Sequence, residues 1–352
     1  MRFSPMVRSR GFEVIHYGVE GAESGANRQI DVLTLAEQES FIGKFNSKDA
    51  GFIGRHAVLG SPLYTTFNQR LRLLLTENTE PGDIICLPFG MAHYDALQDV
   101  QNCFFLESGI GYNQSWAPFR VFESNSWLHH ILGKEIGFKQ EDVAMGNDYY
   151  WVAPNYYDLN DWPVRTEAGS YVLFMARMMD TKGLNIVAEI AKKMPSVQFL
   201  LAGQGNPSEF LTSPNMKYIG VVTDKERGPL FANAIATICP SRYVEPFCGV
   251  AVESMLCGTP AIGSSFGAFT ETIEHGVSGF RARTLGEWVD AINICRTWGT
   301  EEWKIVSDYA RNKYDMYQVA ITYESILNQL SDLSSEGWYS SRSQLMGPSS
   351  KG

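Results

Sequence analysis

The 352-residue sequence contains no apolar run approaching the roughly 18 residues that a membrane-spanning helix needs. Paired cysteine spacing is missing too. Cys86, Cys103, Cys239, Cys248, Cys257 and Cys295 never fall into a CxxC pair, so neither a zinc ribbon nor a disulfide scaffold is expected. Several lie in apolar runs, where a free cysteine behaves as a small core residue. Positive charge is short as well: 29 Lys and Arg stand against 39 Asp and Glu, a formal charge of −10, with an isoelectric point near 5.2. That balance argues against a dedicated nucleic-acid partner, which would usually carry a basic face. No signal-peptide pattern opens the chain and no repeat of solenoid period runs through it. A reduced, cytoplasmic setting is expected.

The composition present is that of a soluble globular chain, 44% hydrophobic and 19% charged, and its length suits two domains of ordinary size. Short apolar runs alternate with segments of helical periodicity. Strands are expected at 12–18, 29–35, 83–88, 102–107 and 149–153, with helices at 1–10, 62–77 and 118–133. A second series comes after these, with strands at 171–175, 198–202, 217–220, 234–239 and 260–263 and a helix at 185–194. Such alternation predicts doubly wound parallel sheets. The polar, proline-bearing stretch 158–169 reads as a linker, giving a first domain over 1–160 and a second over 161–320. Residues 321–352 then close the chain with a helix and a Ser/Gly-rich tail, in which Trp338 and Tyr339 are candidate anchors.

One stretch carries chemistry: Arg242-Tyr243-Val244-Glu245-Pro246-Phe247-Cys248-Gly249-Val250-Ala251-Val252-Glu253. An apolar strand precedes it, and Pro246 suits the first turn of a helix, where its fixed φ is helical and its missing N–H has no partner to lose. Glu245 is then expected in the loop at a strand's carboxyl end, with Glu253 about two turns inside the next helix. The first-turn amides of Phe247, Cys248, Gly249, Val250 and Ala251 would form an anion site with a carboxylate on either side. A diphosphate sugar nucleotide fits such a place, its phosphates on the amides and its hydroxyls on the carboxylates.

Together with the downstream Gly258-Thr259-Pro260 and the loop Gly267-Ala268-Phe269-Thr270-Glu271, this E-x7-E spacing resembles the signature of retaining GT-B glycosyltransferases of the family-4 type. The resemblance implies two Rossmann-like domains that close on substrate. The second would hold the donor, the first the acceptor, and the final helices would cross back to the first. It also implies that the first domain normally opens one strand and glycine loop earlier than this sequence does. Activity would be sugar transfer from a nucleotide donor, UDP- or GDP-sugar, to an acceptor hydroxyl, with no metal or other cofactor.

Residue roles come from the same resemblance. Glu253 holds the ribose and Glu245 the sugar hydroxyls, while Arg177 and Lys182, five apart after the 171–175 strand, neutralise the departing diphosphate. Gly203 and Gly205, in the run Ala202-Gly203-Gln204-Gly205, match a glycine turn that walls the nucleotide pocket, and Gly267 keeps one glycine of a donor-side loop. A histidine at a strand end of the first domain usually faces the donor; Glu107 stands at that position here, and His93 is the nearer substitute. His129 and His130 sit in a helix with no third metal ligand. Arg2, Arg8 and Arg10 leave peripheral contact with anionic lipid open. The acceptor and the oligomeric state are unassigned. A second reading, a catalytically silent sugar-nucleotide binding protein or a partner-dependent subunit, stands beside the first, with a sugar-nucleotide epimerase as a third.

Overall fold

The computed structural model describes residues 2–44, 59–136 and 148–336. The chain separates into two compact units. Among the described residues, one unit holds those up to Pro154 and again from Met316, and the other holds Asn155–Asp315. Trp338 and Tyr339 lie outside the described residues.

The first unit opens with helix α1 (Phe3–Arg8), which buries Met6 and Val7. Strands β1 (Ile15–Val19) and β2 (Arg28–Leu33) pair in parallel. Strand β2 stops before Thr34, which instead caps helix α2 (Leu35–Ile42) in a reciprocal box with Glu37. Helix α3 (Pro62–Asn78) starts with proline at its first position. Strands β3 (Ile84–Leu87), β4 (Phe104–Ile110), β5 (Phe119–Phe122) and β6 (Tyr150–Val152) form a parallel sheet in that order. The expected helix over 118–133 is therefore corrected: its first part is β5, and helix α4 spans Asn125–Ile136. Phe119, Arg120, Val121 and Phe122 are all buried, between β4 and β6. A strand covered on both faces has no polar alternation to distinguish it from a buried helix turn.

The second unit is a doubly wound sheet. Its strands are β7 (Tyr171–Met175), β8 (Gln198–Ala202), β9 (Met216–Gly220), β10 (Ala234–Cys239), β11 (Ala261–Ser264) and β12 (Gly279–Ala282), paired in parallel in the order β12-β11-β10-β7-β8-β9. Helices α5 (Leu184–Lys193), α6 (Asp224–Ala232), α7 (Gly249–Leu256), α8 (Phe269–Thr272), α9 (Leu285–Cys295) and α10 (Thr300–Tyr314) cover it. On one face, Val187, Ile190 and Ala191 of α5 and Trp288 and Ile292 of α9 pack on Val172, Phe199, Leu201 and Ile238. Strands β7 to β9 run out to one edge and β10 to β12 to the other, so the winding reverses between β7 and β10. Ligands of open α/β sheets collect outside the carboxyl ends of the strands at such a reversal.

After Asp315 the chain returns to the first unit as α11 (Met316–Glu336), with Val319, Tyr323, Ile326 and Leu330 buried. Tyr323 meets Phe3 of α1 edge to face at 5.3 Å and donates to the Ser108 carbonyl at 3.3 Å. Arg10 pairs with Glu324, and Arg8 donates to the Gly25 carbonyl at 2.7 Å. These two arginines are thus engaged within the unit itself.

Candidate functional site

Three loops meet at the winding reversal. The one after β7 runs from Ala176 to Gly183, and the one after β10 from Pro240 to Cys248. Gly183 has φ of 81°, and a Cβ there would sit 2.0 Å from the Pro240 carbonyl oxygen, so only glycine lets these loops dock. Arg242 seals the junction: its N–H donates to the Thr181 carbonyl at 2.9 Å, and its guanidinium pairs with Asp180 at 2.6 Å. The third loop comes after β11. Gly267, with φ of 63°, brings its backbone against Val244 and Glu245, and the Ala268 N–H donates to the Glu245 carbonyl at 3.3 Å.

Docking places Lys182 on Glu245. The ammonium lies 2.7 Å from Glu245 Oε1 and donates to the Tyr243 hydroxyl at 2.7 Å. Tyr243 donates in turn to Glu245 Oε2 at 2.7 Å, and Ser241 donates to Oε1. Glu245 is 3% exposed, so its charge is balanced inside the protein. Burial alone would lower the Lys182 pKa, but Glu245 and Tyr243 outweigh it and raise the value above the ordinary one. The Tyr243 hydroxyl is pushed up to about 12 by burial and then by Glu245, so it remains a donor at neutral pH.

Glu245 stands in the expected loop, but the chain beyond it differs from expectation in two details. Pro246 is not in the helix, because α7 begins at Gly249, with Cys248 before it in the left-handed region at φ of 67°. Glu253 is consequently the fifth residue of α7, little more than one turn in. Phe247 is 2% exposed and stacks edge to face on Tyr314 at 5.6 Å, so it anchors the loop in the core. The Ala251 N–H is spent on the Cys248 carbonyl at 3.0 Å. Gly249 and Val250 remain as first-turn amides. A Cβ on Gly249 would come 2.9 Å from the Tyr157 hydroxyl, so a larger residue there would displace that side chain.

Glu253 pairs with Arg227 of α6 through Oε2. Burial raises the Glu253 pKa against the pull of that arginine. Arg227, Tyr243 and Ser241 were not among the residues expected from sequence. Tyr243 and Ser241 lie two and four positions before Glu245, so a search for donors around that carboxylate would have reached them. Arg227 is 26 positions from its partner, on a helix that apolar periodicity did not reveal, and no local signal marked it.

The glycine turn after β8 packs on the Arg177 loop. A Cβ on Gly203 would fall 1.9 Å from the Ala176 carbonyl, and one on Gly205 3.0 Å from Met178 Cβ. The Met178 N–H donates to the Gln204 carbonyl at 2.7 Å. Tyr218 bridges the Gly203 and Gly205 carbonyls at 2.7 and 3.1 Å. Arg177 is exposed on this packed loop.

The two first-unit candidates have other surroundings. Glu107, on β4, is fully buried; it accepts from Tyr112 at 2.9 Å and from the N–H groups of Trp116 and Ala117 at 2.8 Å each, with Arg120 at 3.8 Å. Gly90 closes over it, since a Cβ there would lie 2.5 Å from Glu107 Oε1. That is a structural carboxylate tying down the 111–117 loop, which corrects the expectation that it faces a sugar. His93 lies with Nδ1 3.0 Å from Asn68 Oδ1, among the rings of Phe67 and Tyr64. Burial lowers its pKa to about 4, so the imidazole is neutral near pH 7.

Two α/β units with parallel sheets, the second doubly wound, have the architecture of GT-B glycosyltransferase structures. The likeness is to sucrose-phosphate synthase from Thermosynechococcus elongatus (TM-score 0.67, 14% identity, covering 94% of this chain and 92% of that one). It extends to Anabaena Alr3699/HepE in complex with UDP and glucose (TM-score 0.63, 17% identity, covering 90% and 100%). Residues 169–295 match the family described as Glycosyl transferases group 1. The D-inositol 3-phosphate glycosyltransferases of Mycobacterium tuberculosis and Mycobacterium bovis are 29% identical over 138 residues, 35% of this chain. The match spans only 28% of the length of those relatives.

Proposed function

We propose that the protein is a retaining glycosyltransferase that moves a sugar from a nucleoside-diphosphate donor to an acceptor hydroxyl. One observation carries the reading. Lys182 and Glu245 are brought together at the winding reversal, within the segment that matches Glycosyl transferases group 1. In this reading Lys182 and exposed Arg177 neutralise the diphosphate, with the Gly249 and Val250 amides beside them. Glu253, set by Arg227, takes the ribose, and Glu245 takes hydroxyls of the sugar. Negative charge grows on the diphosphate as the glycosidic bond breaks, and cations already seated on it at that step stabilise it there. The positive charge comes from these side chains, so the proposal needs no metal. A uridine base is favoured by the Anabaena neighbour solved with UDP and glucose.

A second reading is kept on a specific observation: both carboxylates of the E-x7-E pair already accept from the chain's own donors. A protein that binds a sugar nucleotide without turning it over could be built this way. A thermal-shift and turnover screen against UDP-, GDP- and ADP-sugars separates the two. Transfer or slow donor hydrolysis supports the enzyme; binding without either supports the silent protein; no binding to any of the three ends both. The anomeric configuration of a product, read by NMR, tests retention.

A further inference from the structure

Lys182 cannot serve the diphosphate fully while it serves Glu245. An ammonium has three N–H donors, and two are committed to Glu245 and Tyr243 at 2.7 Å each. Its third can take a first phosphate oxygen. The more highly charged diphosphate then competes with a single carboxylate for the cation. If Lys182 moves across, Glu245 is left 3% exposed without its counter-ion, the arrangement that a buried charge tolerates least.

Two other donors on Glu245 do not depend on Lys182. Ser241 is itself 3% exposed and donates to Oε1; its carbonyl is held by the Ser264 hydroxyl at 2.7 Å. The Tyr243 hydroxyl donates to Oε2 whether or not it also receives from Lys182. A carboxylate accepts about four hydrogen bonds. With Lys182 in place one acceptor position remains, on Oε2; with Lys182 drawn off a second opens, on Oε1. Adjacent sugar hydroxyls need two.

We propose that Tyr243 and Ser241 are positioning residues: they hold Glu245 while Lys182 passes to the donor's diphosphate, so that donor binding itself opens the acceptor position the sugar occupies. The proposal rests on the glycosyltransferase reading and adds to it an order of events, diphosphate first and sugar second.

The test compares calorimetric affinities for UDP, GDP and ADP with those for UDP-glucose, GDP-glucose and ADP-glucose. It uses the full chain, Tyr243→Phe and Ser241→Ala, with turnover measured alongside. Wild type is expected to bind one glucose nucleotide more tightly than its bare diphosphate. Tyr243→Phe should keep the diphosphate affinity within about threefold yet lose the gain from the sugar. Its kcat should fall about tenfold or more, as loss of a hydrogen bond to a charged group implies. Ser241→Ala should do the same, and it carries the test should Tyr243→Phe fold poorly. A general loss of structure would weaken both ligands alike and leave their ratio unchanged. Variants with the wild-type ratio and kcat overturn the positioning role and leave the enzyme reading standing. A wild type that gains nothing from the sugar overturns the proposal as well. A wild type that binds none of the three diphosphates overturns the enzyme reading itself.

Discussion

Glu107 is a fully buried carboxylate and Glu253 a half-buried one, and their partners tell them apart further. Glu107 is closed in by backbone N–H groups and a tyrosine of its own loop. Glu253 relies on one arginine from another helix, with 27% of that arginine's side chain and 12% of its own exposed. Arg227→Met is therefore expected to weaken nucleoside-diphosphate binding at least about threefold, as loss of one charge-assisted contact implies. Its stability cost should stay below the roughly 3–5 kcal/mol of breaking a fully buried pair. Calorimetry and urea unfolding read the two effects; unchanged affinity would remove Arg227 from the site.

His93 makes a pH prediction with a definite sign. Its folded pKa of about 4 lies below the ordinary 6.5, so the unfolded chain takes up the proton first. The stability due to its neutral form is complete above 6.5 and is lost as pH falls toward 4. His93→Gln should remove up to one proton from the uptake on unfolding in that window, measured by the pH dependence of urea midpoints. An unchanged slope would mean the imidazole is already charged in the folded protein.

Among elements, the loops at the reversal depend for their docking on glycine more than on the charged residues they carry. Gly183→Ala would add left-handed strain and force a methyl onto the Pro240 carbonyl. The expected cost is about 2–4 kcal/mol, and the loops that bring Lys182 to Glu245 should part. Urea unfolding together with UDP titration measures it, and a variant of wild-type stability and affinity would show that the loops dock without glycine. Sequence reading anticipated most strands of the second unit to within a residue, because buried apolar runs between turns are local signals. It placed β5 inside a helix and advanced the start of α7 to Pro246. The first error came from a strand buried on both faces. In the second, Cys248 stands in the left-handed region before the helix starts, a conformation its residue type does not announce.

Over the whole chain, the return of α11 to the first unit ties its stability to residues more than 200 positions apart in sequence. Tyr323→Ala removes a ring packed on Phe3 and should cost about 3–5 kcal/mol. UDP affinity, which the proposed function assigns to residues of the second unit, is expected to stay within about twofold, since Tyr323 belongs to the first unit and separate sites usually couple weakly. Differential scanning calorimetry and titration check both halves of that statement. A large fall in affinity would show that the second unit's site depends on α11.

Periodicity, turn residues and the eight-position spacing of two glutamates are properties of neighbouring residues, so the alternating α/β plan and the loop bearing Glu245 could be read before any coordinates. Which donors reach each carboxylate could not. Lys182 meets Glu245 across 63 positions and Arg227 meets Glu253 across 26, distances closed only by the winding of the sheet and the docking of its loops. The chain's order supplied the charged groups; only packing decided that Glu107 is sealed inside a loop while Glu245 and Glu253 are held by cations, because burial and pairing depend on neighbours in space.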